Sequence, residues 1–174
     1  MHGLLLAAGA GRRYGGPKAL VDGWLGHALD VLAEGGCVGR TVVLGAEADR
    51  VRALVPPGAE VVVADDWAEG MGASLRAGLG HLGVADAVLV HLVDLPDVDA
   101  PVVRRVLEAG TGSSALARAT YAGRPGHPVL LGRDHWAGVI ASAQGDRGAR
   151  DYLASHDVTL VECGDLATGG DVDR

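Results

Sequence analysis

The chain contains no phenylalanine, and aromatic residues make up only 3% of its 174 positions. Its core must therefore be built from Val, Leu and Ala rather than from rings. Cysteine is scarce as well. Cys37 and Cys163 form no CxxC pair, which argues against a metal or dithiol framework and leaves each as a small hydrophobe. The histidines show no HExxH or paired spacing, so a zinc site is not expected. No apolar run approaches the roughly 20 residues that cross a bilayer. The first residues lack the basic region, apolar run and cleavage site of a signal peptide. The expectation is a cytoplasmic protein without membrane contact. Excess positive charge is missing too. The formal net charge is −7, which argues against a nucleic-acid partner, whose phosphates must be neutralised. Lysine is nearly absent: of 15 basic side chains, only Lys18 is lysine. A position that stays lysine in an arginine-rich chain points to a need for a compact, mobile point charge.

What is present fits one domain spanning residues 1–174, with 48% apolar and 21% charged residues. Short Val/Leu-rich runs at 2–7, 41–44, 60–63 and 87–93 read as parallel strands buried on both faces. Between them, 25–34, 47–55 and 73–82 carry apolar residues at helical spacing, and 102–109 follows Pro101 as a further helix. Beyond these, 115–120 and 128–131 read as strands around a turn at 123–128. Helices are expected at 135–143 and 147–155, a late strand at 158–162, and a polar tail at 164–174. Strands alternating with helices imply a three-layer α/β/α, Rossmann-like open sheet, mostly parallel. In such a sheet, ligands bind beyond the carboxyl ends of the strands where strand order reverses. That rule makes neighbours of the loop at 9–18 and the Asp94-Leu95-Pro96-Asp97 loop.

The first of these loops nearly fits two phosphate-binding motifs and satisfies neither. Gly9 and Gly11 begin a GxGxxG fingerprint, but Tyr14 holds the third position and the glycine comes one late, at Gly15. Gly11 and Gly16 have P-loop spacing, but Pro17 precedes Lys18 and Ala19 replaces the hydroxyl. The underlying chemistry remains. Glycines let backbone N–H groups approach a polyphosphate. Arg12 and Arg13 can grip phosphate oxygens, and Lys18 can act as a mobile cation.

Leu6-Ala7-Ala8-Gly9, Arg13, Gly15 and Lys18 fit the pattern L-A-x-G-x-x-x-R-x-G-x-x-K, and here the chain resembles the MobA-like nucleotidyltransferases. The nearest branch is that of the molybdenum cofactor cytidylyltransferase-like proteins. The stretch from Asp66-Trp67 through Gly72, Ser74, Arg76 and Leu79 resembles the family's second motif, and Asp94-Leu95-Pro96 its magnesium motif. Gly126-His127-Pro128-Val129 and Gly145-Asp146-Arg147-Gly148-Ala149-Arg150 resemble acceptor-side segments. Asp171-Val172-Asp173 resembles the start of the closing Asp-x-Asp-Thr-Pro-Glu-Asp element, whose remainder is not in the sequence. Tyr14 stands where methionine is common, and Ala64 where asparagine is frequent.

The resemblance implies transfer of a nucleoside monophosphate from an NTP to a phosphorylated acceptor, with release of pyrophosphate. Catalysis would fall to Lys18, Arg13 and Asp94. Leu6, Ala7, Ala8, Gly9, Gly11, Arg12, Arg13, Gly15, Lys18, Gly72, Ser74 and Asp94 would bind the nucleotide. His127, Asp146 and Arg147 would line the acceptor side, and Asp94 and Asp171 would hold Mg²⁺. Within the family, Leu-Ala-Ala-Gly goes with CTP and Leu-Ala-Gly-Gly with GTP, so Ala8 favours CTP. Molybdopterin is the acceptor that the branch implies, with a client molybdoenzyme as partner. A sugar or alcohol phosphate acceptor, a GTP-using guanylyltransferase, an oxidoreductase and a non-catalytic nucleotide-binding protein remain as alternatives. Plainer roles are also open: Asp94 as a strand-end turn residue, Asp171 as part of an acidic tail and Ser74 as a helix cap.

Overall fold

The structure is a computed structural model and describes residues 1–172. Asp173 lies outside the described residues. The chain alternates strands and helices: β1 (His2–Leu6), α1 (Trp24–Glu34), β2 (Gly39–Leu44), α2 (Ala48–Arg52), β3 (Glu60–Val63), α3 (Met71–His81) and β4 (Ala87–Leu92). Then come α4 (Ala100–Leu107), β5 (Leu116–Tyr121), β6 (Arg124–Gly132), α5 (Arg133–Ser142), α6 (Arg150–Ala154) and β7 (Thr159–Glu162). The strands form one seven-stranded sheet in the order β3-β2-β1-β4-β6-β5-β7. Every pairing is parallel except those of β6, which runs antiparallel to β4 and β5.

Alternation along the central strands builds two cores. Leu5, Val42, Leu44 and Leu89 face α1 and α4, while Leu4, Val43, Val88 and Val90 face α3 and α5. Branched and linear aliphatic side chains fill both layers, as expected for a chain without phenylalanine. The strand order reverses at the β1–β4 pair, where Leu6 lies opposite Leu92. The loops leaving these two strands therefore emerge side by side.

The structure departs from the sequence expectation in three places. The expected turn at 123–128 is mostly strand, because β6 begins at Arg124. Its prolines are accommodated where the β5–β6 register shifts between Arg118 and Thr120. The helix expected at 147–155 starts only at Arg150, since Gly148 takes a φ of 52° and ends the preceding Gly145–Arg147 turn. The helix expected at 47–55 is trimmed to Ala48–Arg52, with Glu47 in a left-handed conformation at its start.

α3 lies close against the sheet because Gly78 has no side chain. A Cβ there would stand 2.7 Å from a Leu4 methyl and 3.0 Å from a Val43 methyl. Gly78→Leu is therefore expected to overpack this layer and cost about 1–3 kcal/mol, read as a lowered Tm.

His91, on β4, is 1% exposed, and neither ring nitrogen has a hydrogen-bond partner among the described residues. Burial pushes its pKa down to about 4, helped by the nearby His27. The unfolded chain takes up this proton near pH 6.5 and the folded chain does not. Stability is expected to fall as pH drops from 6.5 towards 4. His91→Leu should flatten that fall, so the stability difference between wild type and variant must change across this window in paired urea titrations. A constant difference would overturn the assignment.

Candidate active site

The loop after β1 is closed by its own backbone. Gly15 and Gly16 N–H groups both donate to the Gly11 carbonyl, at 2.9 and 3.1 Å. Gly11 has a φ of 56°, and a Cβ on it would lie 1.9 Å from the Gly16 oxygen, so glycine is required here. Arg12, Arg13 and Gly15 are exposed along the loop, and Gly9 is exposed where it leaves the strand. The loop ends at Pro17, which leads Lys18 into a short 3-10 turn.

Lys18 Nζ donates to Asp94 Oδ2 at 2.8 Å, joining residues 76 apart in sequence. Their side chains are 12% and 20% exposed, so the pair sits at the floor of the crevice rather than on open surface. The loops predicted to be neighbours meet through the two side chains with the most chemistry. Tyr14 packs at a tilt against Trp24, with ring centroids 5.8 Å apart, and so ties the loop to the start of α1.

The second motif borders the same end of the sheet. Ala8 is 4% exposed and its carbonyl accepts the Ala46 N–H at 3.0 Å. A Cβ on Gly45 would lie 2.8 Å from that carbonyl and 2.5 Å from Trp67, so Ala8 has little room to shift. Ser74 is buried inside α3, whose N-cap is Gly70 rather than Ser74. Gly72 packs against the backbone of Ala143 and Gln144, which a Cβ would meet at 2.8–3.0 Å. Gly70 lies equally close to Gly145 and the Asp146 carboxylate. The start of α3 is thus a joint between the expected nucleotide side and the expected acceptor side. Arg76 bridges this joint, donating to the Ala143 carbonyl at 2.7 Å and to Asp66 and Glu69 at 2.7 and 2.8 Å.

His127, Asp146 and Arg147, expected on the acceptor side, come together around one pocket of about 100 Å³. His127 is half-buried. Desolvation, with His91 and Arg118 nearby, pushes its pKa down to about 3, so it is a neutral imidazole in this pocket. Two further arginines, Arg118 and Arg150, also line it. Sequence analysis placed Arg150 within the segment that resembles the acceptor side, and missed Arg118. A signal was available for Arg118, which interrupts the buried run of β5 between Ala117 and Ala119.

The tail is docked. The Thr168 N–H donates to Asp97 at 2.7 Å, and the Val172 N–H donates to the Asp94 carbonyl at 3.3 Å. Asp171 therefore stands one residue from a direct backbone tie to Asp94. Among the described residues no cluster of three or more His, Cys, Asp or Glu side chains could hold a metal. A carboxylate such as Asp94, with no soft ligand beside it, nonetheless suits a hard divalent cation that takes its remaining ligands from phosphates and water.

No described helix is long and apolar enough to cross a membrane. Residues 3–160 match the family model of the MobA-like NTP transferase domain. The chain is 37% identical to the nicotine blue oxidoreductase of Paenarthrobacter nicotinovorans, over 98% of this chain and 91% of that protein. It superposes on the crystal structure of Rv0371c from Mycobacterium tuberculosis H37Rv with a TM-score of 0.83 and 30% identity, covering 99% and 92% of the two chains. A complex of Rv0371c with manganese matches with a TM-score of 0.80 at 29% identity, covering 98% and 92%. A nucleotidyl transferase from Methanothermobacter thermautotroptrophicus shares the fold, with a TM-score of 0.77 at 23% identity over 93% and 86%. This chain belongs to the MobA-like NTP transferase family.

Proposed function

We propose that the protein transfers a nucleoside monophosphate from an NTP to a phosphorylated small molecule, releasing pyrophosphate. CTP is the favoured donor, and a molybdopterin-type phosphate is the acceptor that the sequence resemblance puts first. The observation that carries the reading is the Lys18–Asp94 pair, held at 2.8 Å where the two switch-point loops meet. A cation for a triphosphate and a carboxylate for its metal belong together in this chemistry.

A phosphate monoester is largely dianionic at neutral pH, with a second pKa of about 6, so the acceptor needs no general base. Its oxygen attacks the α-phosphorus, the bond to the bridging α–β oxygen breaks, and pyrophosphate leaves with that electron pair. The protein must bring two polyanions together and stabilise charge at the α-phosphate. Loop N–H groups with Arg12 and Arg13 bind the triphosphate. Lys18 moves from Asp94 to the phosphates as they arrive. Asp94 and Asp171 would hold Mg²⁺, which neutralises phosphate charge when bound. Ala8 sets the base preference. Its methyl occupies room that a purine would need, an effect of about 1–3 kcal/mol.

A second reading, as an oxidoreductase, draws on the relative named nicotine blue oxidoreductase. The displaced third glycine of the loop weighs against dinucleotide binding. Binding measurements with each NTP and with NADH and NADPH separate the two.

The decisive assay follows pyrophosphate release with each NTP, Mg²⁺ and candidate acceptors. Lys18→Ala should lower turnover by about 100-fold or more. Lys18→Arg keeps the charge and should still retain no more than about one tenth of wild-type turnover. Asp94→Asn should raise the Mg²⁺ concentration needed for half-maximal rate. Absence of NTP binding would sink the transferase reading outright. Equal turnover with GTP and CTP would sink the role given to Ala8.

Gly11→Ala tests the loop by itself. Its Cβ must displace the Gly16 carbonyl, at a strain of about 1–3 kcal/mol. NTP affinity should fall while turnover at saturation changes less, as read by titration and steady-state kinetics.

A further inference from the structure

The pocket beside His127 is apolar at its base and cationic at its mouth. Leu6, Leu75, Val129 and Leu153 form the base. Arg118, Arg147 and Arg150 line it with Asp146 as the single carboxylate. Arg147 is already paired with Asp151 at 2.5 Å. Arg118 is not paired in this way. One of its terminal nitrogens donates to the Gly126 carbonyl at 3.1 Å, while its Nε is buried with no partner among the described residues. Burial and the proximity of Arg150 both press against its charge and lower its pKa. A half-buried cation facing a second cation is costly unless an anion joins them.

We propose that this pocket binds the acceptor, and that the acceptor is an anionic molecule whose apolar portion is about one ring in size. The inference rests on the nucleotidyltransferase reading for the word acceptor alone; the binding chemistry stands on the pocket, and it weighs against a molybdopterin-type acceptor, whose fused rings are larger and carry many hydrogen-bonding groups. Size and polarity each select. A cavity of about 150 Å³ lined by aliphatic groups admits benzene. The roughly 100 Å³ here is smaller than that, so at most a single ring or a compact branched alkyl group is admitted. The base offers such a group nothing to hydrogen-bond, so a polyhydroxylated sugar would leave its hydroxyls unmatched there. Arg118 and Arg150 take the anion at the rim, and neutral His127 adds no repulsion to it. Leu6 belongs to both this pocket and the end of β1, so the bound molecule lies against the strand that feeds the triphosphate loop.

The test uses three probes on the intact protein: phenyl phosphate, phenol and glycerol 3-phosphate, titrated calorimetrically beside Mg²⁺·CTP. Phenyl phosphate should bind at least about tenfold more tightly than either of the others. Arg118→Gln should weaken it by about tenfold or more, with the affinity for Mg²⁺·CTP unchanged. Because Arg118 sits on a central strand, Arg150→Gln on the exposed start of α6 provides a second variant with the same expected direction. Ala149→Leu should block phenyl phosphate by filling the pocket from its rim. Glycerol 3-phosphate binding as well as phenyl phosphate would overturn the ring pocket, and unchanged binding in folded Arg118→Gln and Arg150→Gln would overturn the anion site. If phenyl phosphate binds as expected and no NTP binds, the pocket stands and the transferase reading falls. If CTP binds and phenyl phosphate does not, the pocket inference falls and the transferase reading stands.

Discussion

The β1–β4 ladder is the constraint on which everything else hangs. Parallel pairing of Leu4 with Val90 and Leu6 with Leu92 puts the ends of two strands, far apart in sequence, at the same height and one strand spacing apart. Without that register the glycine loop and the Asp94 loop would still exist as local structures, but Lys18 and Asp94 would not meet. The pairing is secured by burial on both faces: Leu5 and Leu89 on one side, Leu4, Val88 and Val90 on the other, all between 0% and 3% exposed. A one-residue slip would exchange those two faces and expose the mismatch in both layers.

The first half of the molecule was legible because its physics is local and repetitive. Continuous Val/Leu runs bounded by glycine, with helical spacing between them, leave few alternatives to a parallel sheet, and the switch-point rule then locates the crevice. Lys18 stood out by composition, and Asp94 by its place at the end of a strand. The second half was less legible because its signals are mixed. Proline and glycine in 123–128 argue for a turn, yet the chain continues as β6 by placing them at an irregular stretch of the ladder. The reversal of β6 relative to its neighbours leaves no mark on side-chain periodicity, since parallel and antiparallel strands both repeat every two residues. Arg118 was hidden for another reason. Arg118, Arg147 and Arg150 come from β5 and from the segment leading into α6, and only the packed structure brings those segments to one opening.

The pocket around His127 and the glycine-loop end of the sheet are linked by a mechanical joint. Gly70 and Gly72 allow the start of α3 to press against 143–146, and Arg76 fastens the same surfaces with three hydrogen bonds. The tail supplies a similar tie at the Asp94 loop, through Asp97 and the Asp94 carbonyl. Both arrangements use backbone carbonyls and small residues rather than large buried side chains. That fits a chain whose aromatic content is too low to wedge such surfaces together.

The scarcity of lysine gives the protein an unusual chemical surface. Arginine does not react with amine-selective reagents, so apart from the α-amino group of Met1 the only primary amine in the chain is the Nζ of Lys18. That amine lies at the floor of the crevice, 12% exposed and held against Asp94. An acylating reagent therefore has one internal target, and the share of molecules modified at Lys18, counted apart from the α-amino group, counts open crevices. The crevice carries its own occupancy label, with no engineered tag or probe.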